Sequence, residues 1–183
     1  MSWAKFLQPD LVLGDTAIAI TPAILQRYQL QGLILDVDET LVPLKEREVS
    51  AEVVQWVDEI RPLASLWLVS NNISETRIGN IAKSLQLPYI CGAGKPSRRK
   101  LRAAIEAMGF PVERVAMVGD RLITDALGGN RMGMFTILVE PMVDPAIAAR
   151  AYPLRTLEVQ LTQLLLGTPL TGKQQKFNDS NKS

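Results

Sequence analysis

The stretch Leu33-Ile34-Leu35-Asp36-Val37-Asp38-Glu39-Thr40 runs from three aliphatic residues straight into alternating carboxylates. A short apolar run bounded by polar residues suits a buried strand of a parallel sheet. Two acids at alternate positions on the end of such a strand are costly, because like charges a few ångströms apart oppose each other's ionisation and lose hydration. The octapeptide therefore predicts a strand at about Leu33–Asp38 and a demand for positive charge at its carboxyl end.

Four further runs have the same character, at about Leu66–Ser70, Tyr89–Cys91, Val115–Gly119 and Phe135–Val139. Helical patterns separate them. Thr21-Pro22 has the form of an N-cap followed by a first helical proline, with Gly32 closing the exit. Ser50 precedes Val54, Val57 and Ile60 on one face, ending near Pro62; Ser74 precedes Ile78, Ile81, Ala82 and Leu85; Ser97 precedes Leu101, Ala104, Ile105 and Met108, ending at Gly109. Thr156 opens a last helix with Val159, Leu161, Leu164 and Leu165. Strands alternating with helices predict an α/β fold built from βαβ units around a parallel sheet.

The chain has 183 residues, 47% hydrophobic and 21% charged, enough for one ordinary domain with a real core. We expect an N-terminal arm at 1–20, the main α/β domain at 21–167 and a polar, disordered tail at 168–183. The 20 basic and 19 acidic residues nearly cancel, which argues against a nucleic-acid partner. There is no histidine, so a Ser-His-Asp triad, phosphohistidine chemistry and HExxH zinc sites are excluded. The single cysteine, Cys91, cannot form an internal disulfide and fits a reducing, cytoplasmic location. Residues 1–13 lack the continuous apolar core of a secretory signal, and no window has the 18 or so apolar residues of a membrane span. Trp3, Phe6, Leu7, Leu11 and Val12 suit core packing by the arm better than an interfacial membrane segment.

Open parallel sheets bind ligands at the carboxyl ends of their strands. Here those ends carry Asp36-Val37-Asp38, Ser70-Asn71-Asn72, Gly94-Lys95-Pro96, and Gly119-Asp120 with Asp125 five residues on. With oxygen ligands and neither histidine nor paired cysteine, a hard cation is implied, and Mg2+ fits a site completed by water and phosphate. A carboxylate can attack phosphorus to form an acyl phosphate, while a second carboxyl two residues on protonates the leaving oxygen and later activates water. Mg2+ and Lys95 would stabilise the phosphoryl charge, and the Ser70 hydroxyl with nearby backbone N–H groups, at Asn71 among them, would orient its oxygens.

These four segments, in this order, resemble the motifs of haloacid-dehalogenase (HAD) superfamily phosphatases. More narrowly, TPAILQRYQLQGLILDVDETL and GDRLITDALGGNRMGMFTILV resemble the YqeG family, class IIIA enzymes related to mitochondrial and plastid phosphatidylglycerophosphate phosphatases, over about Leu7 to Leu165. The resemblance implies a HAD-like Rossmannoid three-layer fold. It implies Asp36 as nucleophile, Asp38 as general acid/base, and Mg2+ held by Asp36, the Asp38 carbonyl and Asp120. It further implies Ser70 and Lys95 as phosphate ligands, Asp125 supporting the metal shell or Lys95, and Thr40 orienting the first loop. The resemblance leads us to expect Asn at position 39, where this chain has Glu39, and neither it nor Arg121 receives a role.

Thirty-four positions separate Asp36 from Ser70 and twenty-five separate Ser70 from Lys95, leaving no room for a cap domain. A site without a lid cannot easily enclose a small metabolite, which favours a large substrate such as a membrane lipid, with phosphatidylglycerophosphate the implied one. Soluble nucleotides, sugar phosphates and phosphoproteins remain as alternatives, as does a nonenzymatic phosphate-sensing scaffold. Lys95, Arg98, Arg99, Lys100 and Arg102 put five cations into eight positions without an acid, either a solvated helix face or a surface for anionic phospholipid. Cys91 and Arg98 give C-x6-R, not the C-x5-R of cysteine phosphatases, and Gly94-Lys95-Pro96 lacks the hydroxyl residue of a P-loop. Trp56 and Trp67 fall within elements and suit burial rather than base stacking.

Overall fold

A computed structural model describes residues 6–142. The helix expected after Thr156 and the polar tail lie outside the described residues. Six parallel strands form one sheet: β1 (Leu11–Val12), β2 (Gly32–Leu35), β3 (Ser65–Val69), β4 (Tyr89–Ile90), β5 (Val115–Gly119) and β6 (Phe135–Leu138), in the order β1-β6-β5-β2-β3-β4. Helices α1 (Pro22–Tyr28), α2 (Ala51–Ile60), α3 (Glu75–Leu85), α4 (Arg98–Met108) and α5 (Leu127–Met132) connect them.

Period-two alternation along the strands divides the core. Leu33 and Leu35 of β2, Leu66 and Leu68 of β3 and Ala116 and Val118 of β5 pack with α1, α2 and α3. Ile34, Val69, Val115 and Met117 point to the opposite face and pack with Leu101, Ala104 and Ile105 of α4. The result is the expected three-layer α/β fold, and among the described residues no further domain is inserted between strands.

Several boundaries differ from expectation. β2 ends at Leu35, not Asp38: the Asp36 N–H still donates to Val118 O at 2.9 Å, after which the chain leaves the ladder and frees the acids to face the sheet edge. α1 is closed by Gln29 in the left-handed conformation (φ 54°), while Gly32 lies within β2. A Cβ on Gly32 would sit 2.8 Å from Met108 Sδ, so the missing side chain lets α4 approach the sheet. On α2 the buried face is Val53, Trp56, Val57 and Ile60, with Val54 only half-buried. Ser50 and Ser74 accept the N–H of Val53 and Arg77, both at 3.3 Å, as capping serines do, whereas Ser97 caps α4 without a side-chain bond. Trp56 is buried and donates its indole N–H to Ile20 O at 2.9 Å; Trp67 is half-buried against α4's cluster.

β1 has no counterpart in the sequence reading, because a three-residue apolar run carries no periodicity. Its pairing with β6 is fixed by Asp10, whose Oδ2 accepts the Thr136 N–H (2.8 Å) and hydroxyl (2.9 Å). Asn130 donates to the carbonyls of Phe6 (2.7 Å) and Gln8 (2.9 Å), tying the arm down further. The described part of the arm packs on the core, with Ala17 and Ile20 buried.

Between β5 and α5, residues Leu122–Ala126 form one turn of π-helix. α5 then lies so close to the sheet that a Cβ on Gly129 would fall 2.6 Å from Thr136 Cγ2 and 2.9 Å from Met117 Cβ. Both atoms sit next to strand backbone and cannot yield, so Gly129→Ala loses more by overpacking than it gains in helix propensity. We expect a loss of about 1–3 kcal/mol, measurable as a lowered chemical-denaturation midpoint with an unchanged slope.

Candidate active site

The three adjacent strands β5, β2 and β3 end on one edge of the sheet, and so bring Asp120, Asp36 and Ser70 to a common surface. Lys95 reaches it from the loop after β4. Its ammonium is buried and lies 2.7 Å from Asp36 Oδ1 and 2.7 Å from Asp125 Oδ1. Carboxylate oxygens of Asp36, Asp120 and Asp125 lie within 4.8 Å of one another, and all three residues are buried. Thr40, fully buried, donates its hydroxyl to Asp120 Oδ1 at 3.3 Å.

The local backbone explains these positions. Asp125 enters from the π-helical turn over Gly119, where a Cβ would lie 2.3 Å from the Asp125 carboxyl carbon; any larger residue would evict the carboxylate. Its Oδ2 accepts the Arg121 N–H at 3.2 Å. The Asn71 side chain brackets Lys95 by donating to its carbonyl (3.0 Å) and accepting its N–H (2.7 Å), so it holds the Lys95 backbone, while the Asn71 backbone N–H is the group expected to face phosphate. Ser70 is buried, and its hydroxyl accepts the Asn72 N–H at 3.0 Å. Glu39 adopts a left-handed conformation (φ 66°), and its carboxylate accepts the Leu44 N–H at 2.7 Å. This gives it a turn-closing role that the sequence left unassigned, at a position where Asn is sterically easier.

Asp38 stands apart from the three-carboxylate cluster. Its Oδ1 accepts from Arg77 Nη2 (2.9 Å) and Nε (3.2 Å), and its Oδ2 from Asn72 Nδ2 (2.9 Å). Neither Arg77 nor Asn72 was singled out from sequence. Asn72 lies in the quoted Ser70-Asn71-Asn72 run, but Arg77 lies on α3, where nothing in spacing or composition marks it.

Electrostatics follow from burial. Removal from water pushes the Asp36 carboxyl up to about 6, with Lys95 opposing and Asp125 adding to the rise. Burial also disfavours the charged Lys95, yet Asp125 and then Asp36 outweigh it and hold the ammonium above its ordinary value. One buried ammonium against three buried carboxylates leaves the cluster short of positive charge. An all-oxygen set with such a deficit fits a hard divalent cation such as Mg2+. Asp125, engaged by Lys95 and the Arg121 N–H, is better placed to brace the lysine than to ligate.

The chain is similar to several known proteins. The Hydrolase_like family model, described as HAD-hydrolase-like, matches residues 92–153. The chain is 34% identical over 139 residues to "Probable phosphatase YqeG" of Bacillus subtilis (strain 168), spanning 75% of this chain and 80% of the relative. It is 35% identical over 72 residues to a dihydroxyacetone phosphatase of Corynebacterium glutamicum (strain R), covering 39% of this chain and 26% of that one. A predicted HAD-like family hydrolase from Porphyromonas gingivalis shares the fold, with TM-score 0.51 and 15% identity over 69% of this chain and 98% of the other.

Because the raised Asp36 carboxyl binds its proton more tightly in the folded chain than in the unfolded one, the group costs stability as pH rises from the ordinary carboxylate range through about 6. In metal-free protein, the thermal midpoint of Asp36→Asn relative to the native chain is expected to increase between pH 4 and pH 7.5. A difference independent of pH would contradict the burial penalty.

Proposed function

The chain belongs to the YqeG family of HAD-like hydrolases and is a HAD-type phosphatase; on that premise we propose that it removes the terminal phosphate of phosphatidylglycerophosphate at an anionic membrane surface, from the cytoplasmic side and as a peripheral protein. The observation that carries the substrate proposal is the character of the rim. Of the exposed large hydrophobic residues, Leu44 (45%) and Ile73 (86%) sit on the loops that follow β2 and β3, and Ile123 (45%) on the π-helical turn that follows β5, around the carboxyl edge of the sheet. Exposed Arg98, Arg99 and Arg102 open α4 just beyond Lys95. Apolar side chains are worth about 1.5–3 kcal/mol each when fully buried, and each cation about 1 kcal/mol near anionic lipid. A rim of this composition suits an acyl and headgroup interface better than free solution. No helix among the described residues is long and apolar enough to cross a membrane.

In the proposed reaction Asp36 attacks phosphorus through a carboxylate oxygen, forming an aspartyl-phosphate as the bond from phosphorus to the glycerol oxygen breaks. Asp38 donates its proton to that departing oxygen, and in the second half takes a proton from the water that attacks phosphorus and releases phosphate from Asp36. Lys95 and the Ser70 hydroxyl hold phosphoryl oxygens, with the Asn71 N–H as a further donor, while Thr40 and Asp125 hold Asp120 and Lys95 in place. Mg2+, held by Asp36, Asp120 and the Asp38 carbonyl, would neutralise charge on the transferred group.

A phosphate-release panel with lipid and soluble monoesters, run with and without Mg2+, tests this proposal. We expect Mg2+-dependent turnover that is fastest on vesicle-borne phosphatidylglycerophosphate, and a loss on the order of a thousandfold or more for Asp36→Asn. Ile73→Ser should weaken flotation with anionic vesicles and slow lipid hydrolysis while sparing a soluble aryl phosphate. Faster turnover of soluble monoesters, together with no flotation, would assign the enzyme to a soluble substrate.

A further inference from the structure

Arg77 stands on α3, and its guanidinium reaches back to the carboxylate of Asp38. Two of its nitrogens meet a single oxygen, Asp38 Oδ1, and the side chains of the pair are 14% and 16% exposed. Its remaining hydrogen bonds go to the carbonyls of Pro43 (3.2 Å) and Glu46, so one planar group joins the loop of Asp38 to the segment that leads away from it. Asn72 holds the other carboxylate oxygen at 2.9 Å through Nδ2, and its side-chain Oδ1 accepts the Ser74 N–H at 2.9 Å at the start of α3. Ser74 in turn accepts the N–H of Arg77 itself. The Asn72 N–H donates to Ser70, so the segment that would grip phosphate also grips Asp38.

From this geometry we infer that Arg77, assisted by Asn72, is the positioning residue that sets the orientation of the proton-carrying carboxyl. An ionised carboxylate offers about four lone-pair positions. Arg77 takes the two on Oδ1 and Asn72 takes one on Oδ2, which leaves one position on Oδ2. That position is where a proton bound for the leaving oxygen is carried, and where the proton of the attacking water is received. A guanidinium suits the task because its fork is rigid, and lysine would supply the charge without the angular constraint. The inference rests on the proposed acid/base role of Asp38 and adds a residue outside the motif-bearing strand ends.

A poorly oriented acid affects substrates unequally, since an alkoxide or phenoxide of low stability needs its proton and a nitrophenoxide does not. The test compares kcat/KM, which reports the step that expels the leaving group, for 4-nitrophenyl phosphate and for phenyl phosphate in the native chain, Asp38→Asn, Arg77→Met and Arg77→Lys, with thermal midpoints recorded for each. Asp38→Asn should lose far more activity on phenyl phosphate than on the nitro compound. Arg77→Met should show the same skew, by about tenfold or more, and Arg77→Lys should fall between it and the native chain. If Asp38→Asn is skewed while both Arg77 variants lose activity equally on the two substrates, Arg77 is only a structural tether and the inference fails. If Asp38→Asn itself shows no skew, the acid/base assignment fails and the inference falls with it.

Discussion

The ammonium of Lys95, buried between Asp36 and Asp125, is the contact on which the rest of the site depends. Breaking a buried ion network by removing one partner costs about 3–5 kcal/mol, because the remaining charges are stranded away from water. Much of the surrounding structure serves that contact. Asn71 fixes the lysine's backbone from both sides, Gly119 leaves space for the Asp125 carboxylate, and the ladder bond from Asp36 N–H to Val118 O sets the third partner. The lysine is thereby rigid before any ligand arrives, as electrostatic stabilisation of a charged transition state requires.

Most of the fold was legible because it was written in periodicities. Aliphatic runs ending in acids, hydroxyls or glycine marked the strands, and apolar residues at helical spacing with serine before them marked α2, α3 and α4. What stayed hidden followed no period. β1 is two residues long and exists because Asp10 and Thr136 lock it to β6. The exit of α1 fell to Gln29 rather than Gly32, whose missing side chain instead serves helix packing.

Legibility of the site divides on the same line. Residues at strand ends could be found by asking what each strand terminates in, and the structure brings Asp36, Asp120, Asp125 and Lys95 together at one edge. Asp38 was found the same way, but its surroundings were not. Arg77 lies thirty-nine positions along the chain from Asp38, on a helix whose buried face is Ile78, Ile81, Ala82 and Leu85, and only the packing of α3 against the sheet turns its guanidinium back over the first loop. Asn71 illustrates the opposite case: its position was anticipated, while the use of its amide depended on a loop conformation that sequence does not display.

The π-helical turn between β5 and α5 carries a further consequence. A single extra residue relative to α-helical winding is what aims Asp125 back across Gly119 at Lys95. Successive residues on a helix are separated by about 100°, so deleting one position from 121–124 would swing the carboxylate away from the lysine even if every side chain in the motif were kept. The segment is therefore constrained in length as strictly as in composition, and insertions or deletions that the outer loops of this chain could absorb would be lethal to catalysis there.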